Sequence, residues 1–258
     1  MPKLFKLRRD SIALFVVSLA VIGGSSAWAE PRSSASAARL AAYLMANETR
    51  EVALARSAAP PEISAHATVM VLSSRGYVIA ARGANGFVCL VARSWDYPPG
   101  ARSVLFWDPK FRAPYCFNAV ARRSVLRLYL MRTRWVLAGA SRHEIRDHEK
   151  AAWTSGRIEE PAPGAMSYMM SKLGRGIGGE PGPWRPHLMF YFPRVRTLNW
   201  GANLPGSPVF AKAGGHTSVF FVLVPVWSDG SPAPGYHYLR RQIRLWCGSG
   251  SLVILLRT

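Results

Sequence analysis

Residues 1–29 have the pattern of a secretory signal peptide, which decides the compartment in which the rest of the chain must fold. The segment begins with the basic residues Lys3, Lys6, Arg8 and Arg9. An apolar run over 12–22 and the sequence Ala27–Trp28–Ala29 before Glu30 complete the pattern. Because the apolar run is well short of the ~20 residues that span a bilayer, a permanent transmembrane anchor is the weaker alternative. We expect a secreted or periplasmic protein that starts near Glu30 and has no integral membrane span.

The remaining chain predicts one domain over 30–234, since domains commonly contain about 100–200 residues. Apolar residues make up 49% of the sequence and aromatic residues 11%, which is typical of a globular protein. Residues 235–258 form an atypical basic and apolar tail, because no acidic residue follows Asp229. A frame-shifted end and an amphipathic membrane-contacting segment both fit this tail. In either case we expect it to be dispensable for the fold.

The chain is strongly basic, with 33 Lys and Arg residues against 14 Asp and Glu and a formal net charge of +19. Such a charge favours polyanionic partners through salt-sensitive contacts, and for an exported protein these are anionic components of the cell envelope, acidic glycans or extracellular DNA. The alternative is the codon bias of a GC-rich genome, because most of the basic residues are arginine. We expect an anionic envelope component or a small molecule as partner, and no specific nucleic acid.

Three cysteines are too few for a small disulfide-framework protein. In an oxidising compartment we expect one disulfide between Cys89 and Cys116, because Cys247 lies in the atypical tail. Buried free thiols, or a nucleophilic thiol beside a histidine, are the alternatives.

The first half of the chain predicts a helix followed by strands. An Ala-rich helical stretch runs from 33 to about Ser57, with a break at 47–49 as the alternative, and Pro60–Pro61 ends it. Three β-prone runs follow, at 68–72, 77–81 and 87–92. Because Asn85–Gly86 is a strong hairpin signal, we expect these runs to form an antiparallel meander.

The second half predicts two helices and further strands. The first helix runs from Asn118 to about Ala138, and the second opens with the capping box of Ser141 and Glu144 and ends near Gly156. Together they predict an αα-hairpin. Residues 165–173 fit one or two helical turns, 174–186 a Gly- and Pro-rich loop, and 187–192 and 217–224 long apolar strands. The predicted fold class is α+β, with the strands packed against the αα-hairpin.

The sequence contains no strong catalytic, metal or nucleotide motif. His143 and Glu144 resemble half of a zinc-binding motif, but His148 lies five residues after His143 and therefore on another face of the helix. The glycines of 174–179 do not lie between a strand and a helix, as a phosphate-binding loop requires. We therefore predict no metal and no cofactor.

One neighbourhood brings together side chains suited to ligand binding. It consists of Ser167, Tyr168, Ser171, Lys172 and, beyond the glycine-rich loop, His187. This set suits the positioning of a ligand or, as an alternative, a hydrolase in which Lys172 or His187 activates a serine. The structural interpretation is that the neighbouring methionines fill the core and His187 is a satisfied histidine at the edge.

Segments 85–89, 168–172 and 186–190 resemble those of an uncharacterised family of secreted bacterial proteins with no assigned activity. The resemblance extends from about Glu51 to Pro234. It implies export and a shared fold, but no cofactor or catalytic residue. The leading hypothesis is an exported globular protein that binds a small molecule or cell-envelope component, and the hydrolase is the alternative. The sequence leaves open the oligomeric state and whether the protein is an enzyme.

Overall fold

The computed structural model describes residues 40–96, 106–182, 184–194 and 200–233, all of which belong to one compact unit. The expected signal segment, its cleavage site and the tail over 235–258 lie outside these ranges. None of the helices in the described ranges combines the length and the apolar character needed to cross a membrane.

One mixed sheet of eight strands forms the centre of the molecule. The strands are β1 (Thr68–Ser73), β2 (Gly76–Ala81), β3 (Val88–Ala92), β4 (Ala113–Phe117), β5 (Met166–Met169), β6 (His187–Pro193), β7 (Val209–Gly214) and β8 (Thr217–Leu223). Their order is β2-β1-β3-β4-β5-β6-β8-β7, and every neighbouring pair except β1–β3 is antiparallel. With the helices described next, the sheet confirms the α+β class.

Four helices of the described ranges are α1 (Glu48–Arg56), α2 (Pro61–Ser64), α3 (Val125–Leu137) and α4 (Arg142–Thr154). Two of these four helices, α1 and α4, begin at side-chain caps that the sequence encodes. The Asn47 side chain accepts a hydrogen bond from the Arg50 amide and caps α1. The helical stretch is therefore broken at 47–49, which was the alternative to one helix from 33 to about Ser57. Ser141 and Glu144 form the predicted capping box of α4. α3 starts later than expected, because Asn118 caps a separate 3₁₀ turn, Val120–Arg122.

Helix α1 covers one face of the sheet, and the disulfide lies beneath it. Cys89 on β3 and Cys116 on β4 are directly paired and fully buried, and they form the bridge that the sequence predicts. They pack with Ala55 of α1, with Ala58 just after that helix and with Val69 from β1. The two cysteines are 27 residues apart in sequence. In the chain-entropy model a disulfide that closes a loop of this length contributes about 3.5 kcal/mol to stability.

Helix α3 packs on the opposite face and contacts α4. Val125 and Leu126 belong to the same buried cluster as Phe117, Tyr191 and Phe221 of the sheet. Arg132 of α3 forms an ion pair with Glu149 of α4 at 2.8 Å. Arg127 and Arg134 of α3, and Arg123 just before it, are exposed as the amphipathic pattern predicts.

The predicted meander is wrong, because β3 lies parallel to β1 and does not pair with β2. The reason lies in the contacts of the Asn85–Gly86 turn. The Asn85 side chain donates to the carbonyl of Ile63, and the amides of Ala84 and Asn85 donate to that of His66. The turn is therefore held against the α2 segment and carries the chain across β1.

The helical turns expected over 165–173 are also absent, because Met166–Met169 form strand β5 in the interior of the sheet. This strand pairs with β4 on one side and β6 on the other. Ser167 and Met169 are buried while Met166 and Tyr168 are partly exposed, which is the alternation of a strand. Pairing on both sides overrides the weak local helix preference of this short stretch.

Candidate functional site

The five side chains predicted as a site do not converge on one place. In the pairing of β5 with β6, Ser167 lies opposite Met189 and Tyr168 lies opposite Leu188. Successive residues of a strand point to opposite faces, so Ser167 and Tyr168 lie on different sides of the sheet. The buried Ser167 hydroxyl is hydrogen-bonded to the hydroxyl of Tyr191 at 2.6 Å.

Ser171 and Lys172 make structural contacts at the end of β5. The Ser171 hydroxyl lies 2.7 Å from that of Ser57 and accepts the Leu173 amide at 3.1 Å. Lys172 is half-exposed and pairs with Asp229 at 2.5 Å, and this contact lowers the pKa of Asp229 below its ordinary value. Among the described hydrogen bonds, neither Ser167 nor Ser171 bonds to a lysine or a histidine. The geometry therefore brings no nucleophile and base together here.

His187 lies in the core at the start of β6. Its Nδ1 is 2.6 Å from the carbonyl of Arg185, and since a carbonyl only accepts, Nδ1 carries the proton. Burial lowers the pKa of His187 to about 4, so the ring is neutral at pH 7. Nε2 is buried and has no hydrogen-bond partner in the described part of the chain.

The structure instead shows a pocket whose lining contains none of these five residues. Its volume is about 340 Å³, and it is lined by Ala42, Tyr43, Trp107 and Pro109. Two of these residues precede α1, and two lie in the segment that leads into β4. The lining is mainly apolar and includes two aromatic rings, a composition typical of small-molecule sites.

Two loops beside this pocket, here called its rim, are joined by hydrogen bonds. The Asp108 carboxylate accepts the amide of Lys110 at 2.8 Å and that of Gly178, from the glycine-rich loop, at 2.6 Å. The main chains of Arg112 and Arg175 exchange two hydrogen bonds, of 2.9 and 2.7 Å. The glycine-rich loop is therefore anchored to the segment that carries Trp107.

A buried ion pair lies behind the pocket. Arg93, at the end of β3, pairs with Glu51 of α1 at 2.7 Å, and both side chains are almost fully buried. Arg93 also donates to the carbonyl of Tyr43 at 2.9 Å and to that of Val91. The Glu51 carboxylate accepts the Leu72 amide at 3.1 Å. The charge pair thus fixes the main chain of a pocket-lining residue.

Asp96 extends this network towards α3. One carboxylate oxygen accepts the Arg93 amide at 3.0 Å, and the other has no partner among the described residues. Burial raises the pKa of Asp96 to about 7, although the Arg93 amide and the charges of Arg132 and Arg93 oppose the shift. Arg132 in turn donates to the Asp96 carbonyl at 2.8 Å and pairs with Glu149.

Arg112 completes the network directly behind the pocket wall. Its guanidinium donates to the carbonyls of Pro109 at 2.6 Å, Phe111 at 2.8 Å and Tyr43 at 3.0 Å. Burial and the nearby charge of Arg93 lower the pKa of Arg112 to about 10. Within the described ranges Arg112 has no carboxylate in ion-pair distance, although Arg93 and Arg132 each have one.

Sequence reasoning missed this site because its residues come from distant parts of the chain. A signal was nevertheless present: Arg93 and Asp96 flank Trp95 at the end of an apolar strand. Charged residues in so apolar a context are seldom buried unless they are paired. Their partner Glu51 lies 42 residues earlier in the chain, and no local pattern identifies it.

No family model, curated protein or solved structure matches this chain. The described residues also contain no group of three or more side chains able to hold a metal ion.

Proposed function

We propose that this chain is an exported binding protein that takes a small molecule or cell-envelope component into the pocket between Tyr43 and Trp107. The observation that carries the proposal is the pocket itself: its volume of about 340 Å³ and its aromatic lining suit one small ligand. The pattern of residues 1–29 supports export.

The contacts around the pocket support a preformed site. The Tyr43 carbonyl accepts hydrogen bonds from both Arg93 and Arg112, and Arg112 also holds the carbonyl of Pro109. Asp108, between Trp107 and Pro109, is fixed by two main-chain amides. A wall that is already ordered loses little conformational entropy when a ligand binds.

The hydrolase alternative has no comparable support. Ser167 is hydrogen-bonded to Tyr191, Ser171 to Ser57, and the ring of His187 to a carbonyl. A serine nucleophile requires its base within about 3.2 Å, and none of these contacts supplies one. These contacts support ligand binding, and not hydrolysis, as the function that we propose.

Removal of the Trp107 side chain tests the proposal. The probe is N-phenyl-1-naphthylamine, an uncharged apolar dye whose fluorescence rises when it leaves water. Trp107→Ala should weaken dye binding at least fivefold, because half of the aromatic lining is lost.

Trp200→Ala is the matched control, since Trp200 is 51% exposed and Trp107 is 40% exposed, yet Trp200 stacks on Phe220 of β8 and does not line the pocket. This control should bind the dye as the unaltered protein does. Equal dye affinity in both variants and the unaltered protein, or no measurable binding, would contradict the proposal.

A further inference from the structure

Arg112 differs from the other two arginines of the buried network in how its charge is compensated. Arg93 and Arg132 pair with Glu51 and Glu149, whereas Arg112 meets only carbonyl oxygens. The nearest acid in sequence, Asp108, already accepts two main-chain amides. The charges of Glu51 and Asp108 act on Arg112 only through space. Carbonyl dipoles compensate a partly buried cation less well than a carboxylate in contact does, so Arg112 retains the capacity to bind an anionic group.

Arg112 is bonded to the wall of the pocket, although it is not itself one of the four lining residues. The guanidinium bonds the carbonyls of Tyr43 and Pro109, which are two of the four lining residues. Its three hydrogen bonds leave the Nε–H and one Nη2–H without a partner in the described part of the chain. Arginine presents such donors in a planar fork that suits carboxylate, sulfonate and phosphate groups.

The rim adds a second positive charge. Lys110 is exposed and directly follows Pro109, and its own amide is bound to Asp108. A charge at the rim of a partly apolar pocket attracts an oppositely charged ligand and raises its rate of association.

We infer that the ligand is a single small anionic amphiphile, whose apolar part lies between Tyr43 and Trp107 and whose anionic group is bound by Arg112. This inference rests on the proposed function and adds the chemical class of the ligand. A lipid-derived anion and a soluble aromatic acid share this chemistry. A pocket of this volume takes one such molecule and not a patch of bilayer.

Two dyes with the same aromatic skeleton test the inference. 8-Anilinonaphthalene-1-sulfonate carries one anionic group that N-phenyl-1-naphthylamine lacks. We expect the anionic dye to bind at least tenfold more tightly to the unaltered protein, and Arg112→Met to reduce that preference to threefold or less. Trp107→Ala should weaken the binding of both dyes by similar factors.

Arg127→Met is the control for unspecific attraction of a sulfonate, because Arg127 is an exposed arginine on α3 and is not among the lining residues. It should leave the preference unchanged. Comparing octanoate with 1-naphthoate as competitors of the bound anionic dye separates the two sources, since a lipid-derived anion requires octanoate to compete better and an aromatic acid requires 1-naphthoate to compete better.

The preference of the unaltered protein for the anionic dye over the uncharged dye tests the ligand class even if Arg112→Met fails to fold. Equal affinity for the two dyes overturns the assigned ligand class and leaves the pocket as the proposed binding site. Failure of both dyes to bind overturns the proposed function as well. A preference that Arg127→Met abolishes would assign the effect to surface charge and contradict the role of Arg112.

Discussion

Asp96 and His187 are buried titratable residues. The pH dependence that Asp96 gives to the unfolding free energy is opposite in sign to that of His187. Burial raises the pKa of Asp96 from 3.8 to about 7, so between these values the folded state binds more protons than the unfolded state. The unfolding free energy contributed by Asp96 therefore falls as pH rises from about 4 to 7. The pKa of His187 falls from 6.5 to about 4, so its contribution rises with pH over that interval.

Replacing one of the two residues should reveal how the other changes the unfolding free energy with pH. Asp96→Asn cannot ionise, so the unfolding free energy of this variant should rise from pH 4.5 to 6.5 more steeply than that of the unaltered protein. The difference in slope should approach about 1.4 kcal/mol per pH unit, the value for one proton. Urea unfolding at pH 4.5, 5.5 and 6.5 measures it.

His187→Asn supplies the opposite control, because the asparagine amide can still donate to the Arg185 carbonyl but does not titrate. Its unfolding free energy should fall with pH relative to the unaltered protein over the same range. Parallel pH profiles for all three proteins would show that neither group is buried in the way described.

At the residue scale, local chemistry was predictable and long-range pairing was not. The Ser141–Glu144 capping box depends on residues three positions apart, so the sequence predicts it directly. Cys89–Cys116 was predictable because few cysteines were available to choose from. The contact of Glu51 with Arg93 depends on α1 packing across β3, which no local pattern contains.

At the scale of elements, the glycine-rich loop is shaped by one buried tryptophan. The Trp184 ring packs so closely on Gly174 and Gly182 that a Cβ at these positions would lie 2.2 and 2.5 Å from ring atoms. Trp184 also contacts Phe111 at a ring distance of 6.1 Å, so it has little freedom to move away. Gly174 and Gly182 are thus required by packing against Trp184.

Gly174→Ala should therefore destabilise the protein by about 1–3 kcal/mol, the range for overpacking in a core. Gly214→Ala is the matched control, because no atom lies within 4 Å of the Cβ position at this exposed end of β7. That control should change stability by less than about 0.5 kcal/mol. Equal thermal unfolding midpoints for the two variants would contradict the packing argument.

The sequence predicts the positions of the strands better than it predicts which strands pair in the sheet. The approximate positions of β1, β2, β3, β6 and β8 follow from short runs of apolar and β-branched residues. The order of strands depends on contacts of turns, such as that of Asn85 with Ile63, which connect parts of the chain 22 residues apart. The sequence predicts helical turns in place of β5, because four residues are too few to distinguish the hydrophobic period of a helix from that of a strand.

At the scale of the whole molecule, the last described segment closes the fold after β8. The Ser228 hydroxyl donates to the carbonyl of Ser57 at the end of α1, and the Ser228 amide donates to the carbonyl of Met170 after β5. The Met170 amide donates to the Ala58 carbonyl. Three parts of the chain that are far apart in sequence therefore meet at this junction, with the hydroxyls of Ser57 and Ser171 between them.

This junction defines where the chain can be shortened. The amide of Ala233 still bonds the carbonyl of Pro225, so a chain ending at Pro234 retains every hydrogen bond described for this segment. Residues 235–258 lie outside the described ranges, and we predict that their removal shifts the thermal unfolding midpoint by no more than a few degrees. A chain ending at Val224 is the control: it loses both bonds of Ser228 and the Lys172–Asp229 pair, so its midpoint should fall much further. A comparable loss in the chain ending at Pro234 would instead show that the tail contributes to the core.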